Sequence, residues 1–382
     1  MFDFYEFFAG GGMARAGLGH NWNCLFANDI DQKKGRIYAE NWGADSLRLC
    51  SVNELMVDDL PGIPHLAWGS FPCQDLSLAG GGAGLKGDRS GTFWPFWGLM
   101  TGLAADGRAP KLIVLENVCG TLTSHGGKDF AAIGAALHKA GYKFGALVVD
   151  AAYFVPQSRP RLFIIGVHRD QALPKELVSG GPSKAWHSTA LRKAHDALPK
   201  NARRSWLWWN LPEPPIRNSR FADLVEEKPS SVKWNTAVQT KKLLGMMSEV
   251  NLQKVWDAKQ AGRTMVGCVY KRTRKDSNGQ KVQRAEVRFD DVAGCLRTPA
   301  GGSSRQLLLV VNGNSVKSRL ISSRETARLM GLSDRYRLPE NYNEAYHLTG
   351  DGVVVPVVRY LADQILEPIL KAGQGAKISE AA

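Results

Sequence analysis

Through the first 170 residues, short apolar runs alternate with stretches of helical periodicity. Phe2–Phe8 leads into the turn Ala9-Gly10-Gly11-Gly12, and Cys24–Asn28 into the acidic turn Asp29-Ile30-Asp31. Leu66–Trp68, Leu112–Leu115, Leu147–Val149 and Leu162–Val167 are further runs of strand length, while Gln32–Asn41, Thr92–Ala104 and Phe130–Ala140 read as helices. Alternation at this spacing predicts an α/β fold built on a doubly wound sheet. In such sheets ligands sit beyond the carboxyl ends of the strands, where the connecting loops lie.

Beyond residue 170 the pattern loosens. Prolines (174, 182, 199, 212, 214, 215 and 229), basic pairs and the cluster Trp206, Trp208 and Trp209 replace the regular alternation. Lys271-Arg272-Thr273-Arg274-Lys275, followed by Asp276-Ser277-Asn278-Gly279, reads as a basic strand end or an exposed turn. Ser322 or Ser323 caps a helix that Gly331 stops, and Val353–Leu370 is apolar, partly helical and expected to pack on the first sheet. These boundaries predict a first domain over 1–170 completed by 340–372, a smaller irregular domain over 171–339, and a frayed tail at 373–382.

A chain of 382 residues, 44% of them hydrophobic, is long enough for two packed domains. No segment is apolar for long enough to span a bilayer, and residues 1–10 lack the basic start and cleavage site of a signal peptide. The six cysteines (24, 50, 73, 119, 268, 295) show no CxxC spacing, which predicts free thiols in a reducing cytoplasm, with neither a metal site nor a disulfide framework. Net charge is +13, and residues 170–310 hold 25 Lys+Arg against 13 Asp+Glu, so nearly all the excess lies in that block. A solvated surface would also be basic, but concentration in one block points to a polyanion partner whose counterions it displaces.

Four stretches carry candidate chemistry. Phe8-Ala9-Gly10-Gly11-Gly12 would let backbone approach a nucleotide-like ligand, although it is not GxGxxG and a tight strand-to-helix turn uses the same residues. Asp29 stands near the ~20-residue offset at which a carboxylate meets ribose hydroxyls. Cys73, in Gly69-Ser70-Phe71-Pro72-Cys73-Gln74, opens a glycine-rich loop after an apolar strand. Alone it reads as a small buried hydrophobe; at a ligand-binding edge it reads as a nucleophile. Glu116, in Glu116-Asn117-Val118, ends another strand on the same predicted edge, where a carboxyl needs a partner: a helix cap, an ion pair or a bound base. Arg159 and Arg161, at i and i+2 of an extended segment, would point the same way, towards one phosphate or carbonyl or into solvent.

The order of the pieces is more specific than any one of them. Phe-Ala-Gly, an acid after the second strand, Pro-Cys-Gln, Glu-Asn-Val, Gln-x-Arg-x-Arg, a long variable block, Arg319 with Arg324-Glu325 and Ala327-Arg328-Leu329, then Gly350-Asp351-Gly352-Val353 resemble the motif series of the DNA cytosine-5 methyltransferases. The resemblance covers roughly residues 3–168 and 293–370, and the block between stands where that family has its target-recognition region. It implies a Rossmann-like methyltransferase fold with a mixed sheet, S-adenosylmethionine as cofactor, and double-stranded DNA as partner of a monomer. It leaves room for a cognate restriction endonuclease acting separately.

Residue by residue, the resemblance implies that Cys73 attacks C6 of a flipped-out cytosine. Glu116 would contact N3 and the exocyclic amine, and Arg161, with Arg159 beside it, would hold the base carbonyl and the adjacent phosphate. Phe8, Ala9, Gly10, Gly12, Asp29, Ile30, Ser51, Val52, Pro72, Phe93, Asp351 and Gly352 would form the cofactor pocket, with Asp29 on the ribose and Ile30 against adenine. Arg89-Ser90-Gly91-Thr92 resembles the next motif, supporting the catalytic loop. Four positions depart from the family pattern: Met13 for a glycine, Cys50-Ser51-Val52 where an acid is common, Asp351 for Asn, and Cys295-Leu296 for Thr-Leu. None removes a reacting group. Three other readings are weaker. The tRNA-methylating branch lacks support because its Cys-Phe-Thr signature is absent. A non-catalytic DNA-binding protein on this scaffold would not need Cys73, Glu116, Arg159 and Arg161 intact, and a nicotinamide dehydrogenase would not need the basic block.

Overall fold

The structure, a computed structural model, describes residues 1–72, 90–275, 278–297 and 305–380, with Ser90 and residues 375–380 described by their backbone alone. Two compact units divide the chain: Met1–Asp150 with Pro160–Pro214 and Val353–Ala382, and Ala151–Arg159 with Pro215–Gly352.

The first unit is built on seven strands: β1 (Phe2–Phe7), β2 (Trp22–Asp29), β3 (Leu47–Leu49), β4 (Leu66–Gly69), β5 (Leu112–Val118), β6 (Tyr142–Asp150) and β7 (Pro160–His168). Their order is β3-β2-β1-β4-β5-β7-β6, parallel from β3 to β5, with β7 antiparallel to both its neighbours. The sheet is therefore mixed, and strand order reverses between β1 and β4, where a doubly wound sheet opens a crevice at its carboxyl edge. Strands covered on both faces carry nearly continuous apolar runs. Phe4, Tyr5, Phe7, Ala67, Trp68, Ile113 and Val114 are all fully buried.

Helices α1 (Met13–Leu18), α2 (Gln32–Trp42), α3 (Phe93–Ala105) and α4 (Lys128–Lys139) connect these strands. Asp31 starts α2 by accepting hydrogen bonds from the Lys33 and Lys34 amides at 2.8 and 3.2 Å.

After β7 the chain stays in the first unit as far as Pro214, where a boundary near 170 was expected. Its short strands β8 (Val178–Ser179) and β9 (Trp208–Trp209) pair with each other, and α5 (Thr189–Asp196) and α6 (Lys200–Arg204) lie between them. The Phe144 amide donates to the Ser205 carbonyl and the Leu207 amide to the Phe144 carbonyl, so this segment covers the free edge of β6. Trp206 packs on Phe130 and Phe144, and Trp209 is fully buried. Trp209 thus belongs to the core of the first unit, with Trp206 and Trp208 half-buried beside it.

The second unit holds an antiparallel sheet of β10 (Met265–Lys275), β11 (Lys281–Arg288), β12 (Leu307–Asn312) and β13 (Ser315–Leu320), ordered β11-β10-β12-β13. Against it, α7 (Ala237–Gly245) and α8 (Glu249–Gln260) bury Leu243, Val255 and Ala258 on Val269, Ala285, Val287 and Leu309. Ser322 caps α9 (Ser323–Leu329) in a reciprocal box with Glu325, and Gly331, at φ +75°, follows its end. Arg319 and Glu325 form a fully buried ion pair there.

Residues 151–159 hold this unit together at several points. The Ala152 carbonyl accepts from Arg217 Nε at 3.0 Å, Gln157 Nε2 donates to the Leu329 carbonyl at 2.8 Å, and Arg159 binds carbonyls beside the end of α10 (Tyr342–Asp351). The unit carries 25 Lys+Arg against 14 Asp+Glu, whereas the first unit carries 24 against 22.

The chain then rejoins the first unit as α11 (Val355–Leu361), a π-turn over Ala362–Leu366, and α12 (Glu367–Glu380). Gly17 of α1 meets α11 so closely that a Cβ there would lie 2.4 Å from Val358 Cβ. Helix α12 continues to Glu380.

Candidate active site

Beyond β1 the backbone turns through left-handed conformations at Phe8 (φ +58°), Gly10 (+55°) and Gly12 (+77°). A Cβ on Gly12 would stand 2.4 Å from Trp42 Nε1, which itself donates to the Gly11 carbonyl at 3.0 Å. Gly10 differs: among the described residues the nearest atom to a Cβ there is Lys34 Cδ at 4.0 Å, an ordinary contact distance, so its described neighbours do not crowd it. The Ala9 amide is taken by the Asn28 carbonyl at 2.9 Å, which fixes the turn against the end of β2.

At that end Asp29 accepts from the Gly10 amide through Oδ2 at 2.7 Å and from the Asp31 amide through Oδ1 at 2.8 Å. Burial pushes its pKa up, against the pull of those amides and of Lys34. Next to it Ile30 is 70% exposed, an apolar surface at the rim of the crevice. Ser51 caps the single turn Val52–Glu54 by accepting from the Asn53 amide at 3.3 Å, while Val52 is buried in the core. Phe93 is also wholly buried, stacked on Trp97 and tilted against Phe71, and so supports this edge from behind. Met13 is buried at the first position of α1.

Glu116 and Arg161 meet because of strand register. Val118 faces Arg161 across the antiparallel β5–β7 pair, and Glu116 lies two residues back on the same face. Arg161 Nε sits 3.2 Å from Glu116 Oε1, with the side chains 17% and 9% exposed. Beside them, Asn117 Nδ2 donates to the Phe71 carbonyl at 3.1 Å, and Asn117 Oδ1 accepts from the Val118 amide and the Thr121 hydroxyl. The end of β5 is thereby fastened to the chain that leaves β4 through Phe71 and Pro72. Cys73 and Arg89 lie outside the described residues.

Arg159, Asp351 and Gly352 belong to the second unit. Arg159 is 2% exposed and donates to the carbonyls of Leu296, Gly350 and Gly352 at 2.9, 2.8 and 2.9 Å, and to Cys295 Sγ at 3.3 Å. Strand β7 begins at Pro160, so the side-chain alternation expected to align Arg159 with Arg161 does not extend to Arg159. Among the described residues, Arg161 meets Glu116 and the Pro160 carbonyl, and Arg159 meets Leu296, Gly350, Gly352 and Cys295. The position that departs from the family pattern at Cys295 is thus part of this clasp.

Two residues of the site carried no role in the sequence reading. Asn117 was visible only as the middle of Glu-Asn-Val. Glu6, an acid inside the apolar run of β1, is 1% exposed; its Oε1 accepts from the Ala14 and Arg15 amides at 3.1 and 3.2 Å and so caps α1, while Oε2 has no hydrogen-bond partner among the described residues. Burial pushes its pKa up to about 8. The break in hydrophobicity at Glu6 was the available signal.

Among the described residues, no group of three or more His, Cys, Asp or Glu side chains is arranged to hold a metal ion, and no helix is long and apolar enough to cross a membrane.

The sequence model of the C-5 cytosine-specific DNA methylases matches residues 2–367. Over 370 residues the chain is 25% identical to the type II methyltransferase M.NlaX of Neisseria lactamica, spanning 96% of each. It is 25% identical over 387 residues to the type II methyltransferase M.HpaII of Haemophilus parainfluenzae, spanning 96% of this chain and 90% of that one. In fold it is similar to the Dnmt2 methyltransferase of S. pombe, with a TM-score of 0.58 at 18% identity over 96% of this chain and 99% of the other.

Proposed function

Because the chain belongs to the C-5 cytosine-specific DNA methylase family, we propose that it transfers a methyl group from S-adenosylmethionine to C5 of a flipped-out cytosine in a defined double-stranded sequence, through a covalent bond from Cys73 to C6. The observation that carries this reading is the Glu116–Arg161 pair at the end of β5, beside the Asn117 tie to the chain leading into Pro72 and Cys73. The type II relatives support a defined duplex site as substrate.

The residues at the β1–β2 edge suit the cofactor. Gly10 is not crowded by its described neighbours, Asp29 keeps lone pairs beyond the two amides it binds, and Ile30 offers an exposed apolar face. Asp29 would hold the ribose and Ile30 the adenine. When bound, S-adenosylmethionine supplies an electrophilic methyl group.

Cytosine C5 is a poor nucleophile until a nucleophile adds at C6. Cys73 Sγ, as thiolate, would form the bond to C6 and pass the electron pair to C5. Glu116, oriented by Arg161 and sharing a proton with the bound base, would place that proton on N3, accept from the exocyclic amine, and so offset the negative charge that the adduct puts on the ring. Once C5 carries the methyl group, loss of its proton returns an electron pair to the ring. The Sγ–C6 bond then breaks, regenerating the thiolate. The target carbon is unreachable inside a stacked duplex, so the base must leave the helix.

Bisulfite sequencing of DNA from cells expressing the chain is expected to show 5-methylcytosine at one recurring sequence. Cys73→Ser should abolish it while S-adenosylmethionine binding persists. Methylation by that variant would overturn the covalent route, and absence of methylation by the parent would overturn the reading.

A further inference from the structure

Strand β10 is longer than its inner neighbour requires. β12 pairs with Met265–Val269 only, whereas β11 pairs with Cys268–Lys275. Tyr270–Lys275 and Lys281–Glu286 therefore form a two-stranded ribbon that runs on past the four-stranded sheet, for about 20 Å at the usual rise per residue. Its base is anchored by buried Val269, Ala285 and Val287. Further out, Arg272, Thr273, Arg274, Lys275, Gln283 and Arg284 are exposed.

The register sorts these side chains. Arg272 directly faces Arg284, and Lys275 directly faces Lys281. Like charges directly opposed weaken a β-pair, so the ribbon holds two repulsions that a polyanion would relieve. On the face of Arg272 and Arg274, one carboxylate sets both guanidinium groups. Glu286 Oε1 accepts from Arg274 Nε at 2.8 Å, and Glu286 Oε2 lies 3.5 Å from Arg272 Nε. Arg272 also lies over the Tyr270 ring, 5.6 Å from its centroid. Held in this way, the two side chains lose less freedom on binding than free arginines would.

A two-stranded ribbon fits the major groove of B-form DNA, and arginine pairs there with the O6 and N7 acceptors of guanine. We propose that this ribbon enters the major groove of the substrate duplex, with Arg272, Arg274 and Arg284 reading guanine edges and Lys275 and Lys281 binding phosphates. The inference rests on the reading of the chain as a DNA methyltransferase and names the residues that choose its sequence.

The test uses the full chain, the duplex defined by bisulfite sequencing, and duplexes in which each of its G·C pairs is exchanged singly. Each of R272A, R274A and R284A is expected to lose discrimination at its own guanine position by about tenfold to a hundredfold in relative kcat/KM. K275A and K281A should instead weaken binding to every duplex alike and lower the slope of log affinity against log salt by about one each. Unchanged S-adenosylmethionine affinity will show that the variants are folded. The proposal is overturned if the arginine variants lose activity equally on all duplexes, if they match the parent, or if the methylated sequence contains no guanine beyond the partner of its target cytosine. A parent chain that methylates no duplex defeats the enzyme reading and the ribbon proposal together.

Discussion

Glu325→Gln is expected to destabilise the second unit by about 3–5 kcal/mol, the usual cost of breaking one side of a buried ion pair. Arg319 and Glu325 are 0% and 1% exposed, and two hydrogen bonds of 2.7 and 2.6 Å join them. The same carboxylate accepts from the Ser322 amide and the Glu226 amide, each at 2.7 Å, so it closes the start of α9 and pins the segment ahead of α7 at once. Glutamine would turn an NH2 group towards these donors and leave the Arg319 charge without a counter-charge. The Trp234 ring, 4.7 Å from Arg319 Cζ, offsets only about 0.5–2 kcal/mol of that. In a unit of this size 1 kcal/mol moves the melting temperature by about 2–4 °C, so a fall of about 6–20 °C should appear in scanning calorimetry. Arg319→Met combined with Glu325→Leu should recover only part of the loss, because an apolar pair leaves no stranded charge but deprives the Ser322 and Glu226 amides of their acceptor. The reasoning is refuted if Glu325→Gln melts within about 2 °C of the parent, or if the double-mutant cycle gives a coupling below about 1 kcal/mol.

Glu6, held up at about 8 from an ordinary 4.5, keeps a proton in the folded chain that the unfolded chain releases. Its contribution is fully present below pH 4.5 and is lost as pH rises through about 8, so Glu6→Gln should flatten the decline of Tm between pH 5 and 8. Parallel Tm curves for parent and variant would rule this out. Gly12→Ala forces a side chain onto φ +77° and onto Trp42, and should cost more than about 1 kcal/mol and weaken S-adenosylmethionine binding in titration calorimetry. Unaltered affinity would contradict the role given to the turn. Asn117→Ala strips the Phe71 carbonyl of its donor; a stability loss of about 1–3 kcal/mol is expected, with kcat reduced and cofactor affinity kept. A variant with the parent's kcat would show that this tie does not position the loop.

Strands and helices of the first unit were legible because burial on both sheet faces leaves continuous apolar runs. Leu66–Trp68 and Leu162–Val167 lie within β4 and β7, and Thr92–Ala104 is α3 within a residue of each end. Pairing partners were not legible. Strand β5 continues past Leu115 to Val118 because β7 pairs with it that far, which puts Glu116 inside a strand and diagonally across from Arg161, on the same face. Lys271–Lys275 carries no hydrophobic alternation, so nothing in the pattern distinguished a long polar ribbon from a strand end. Trp206, Trp208 and Trp209 were grouped with basic neighbours by proximity along the chain, whereas backbone pairing with β6 decides where they pack. The order of motifs identified Glu116 and Arg161 together but could not show that Arg159 turns instead to the carbonyls of Gly350 and Gly352.

Residues 151–159 gather the two ends of the long stretch 215–352: Arg217 near its start binds the Ala152 carbonyl, and Arg159 binds the carbonyls at its finish. A module whose ends are already clasped costs little loop-closure entropy to insert and tolerates exchange between relatives. The exchangeable cassette is consequently discontinuous. A graft of 215–352 alone would leave the host's own segment to supply Arg159's bonds, whereas a graft that also carries 151–159 brings its clasp with it. Recombination among such enzymes, natural or engineered, should therefore succeed more often when both pieces travel together.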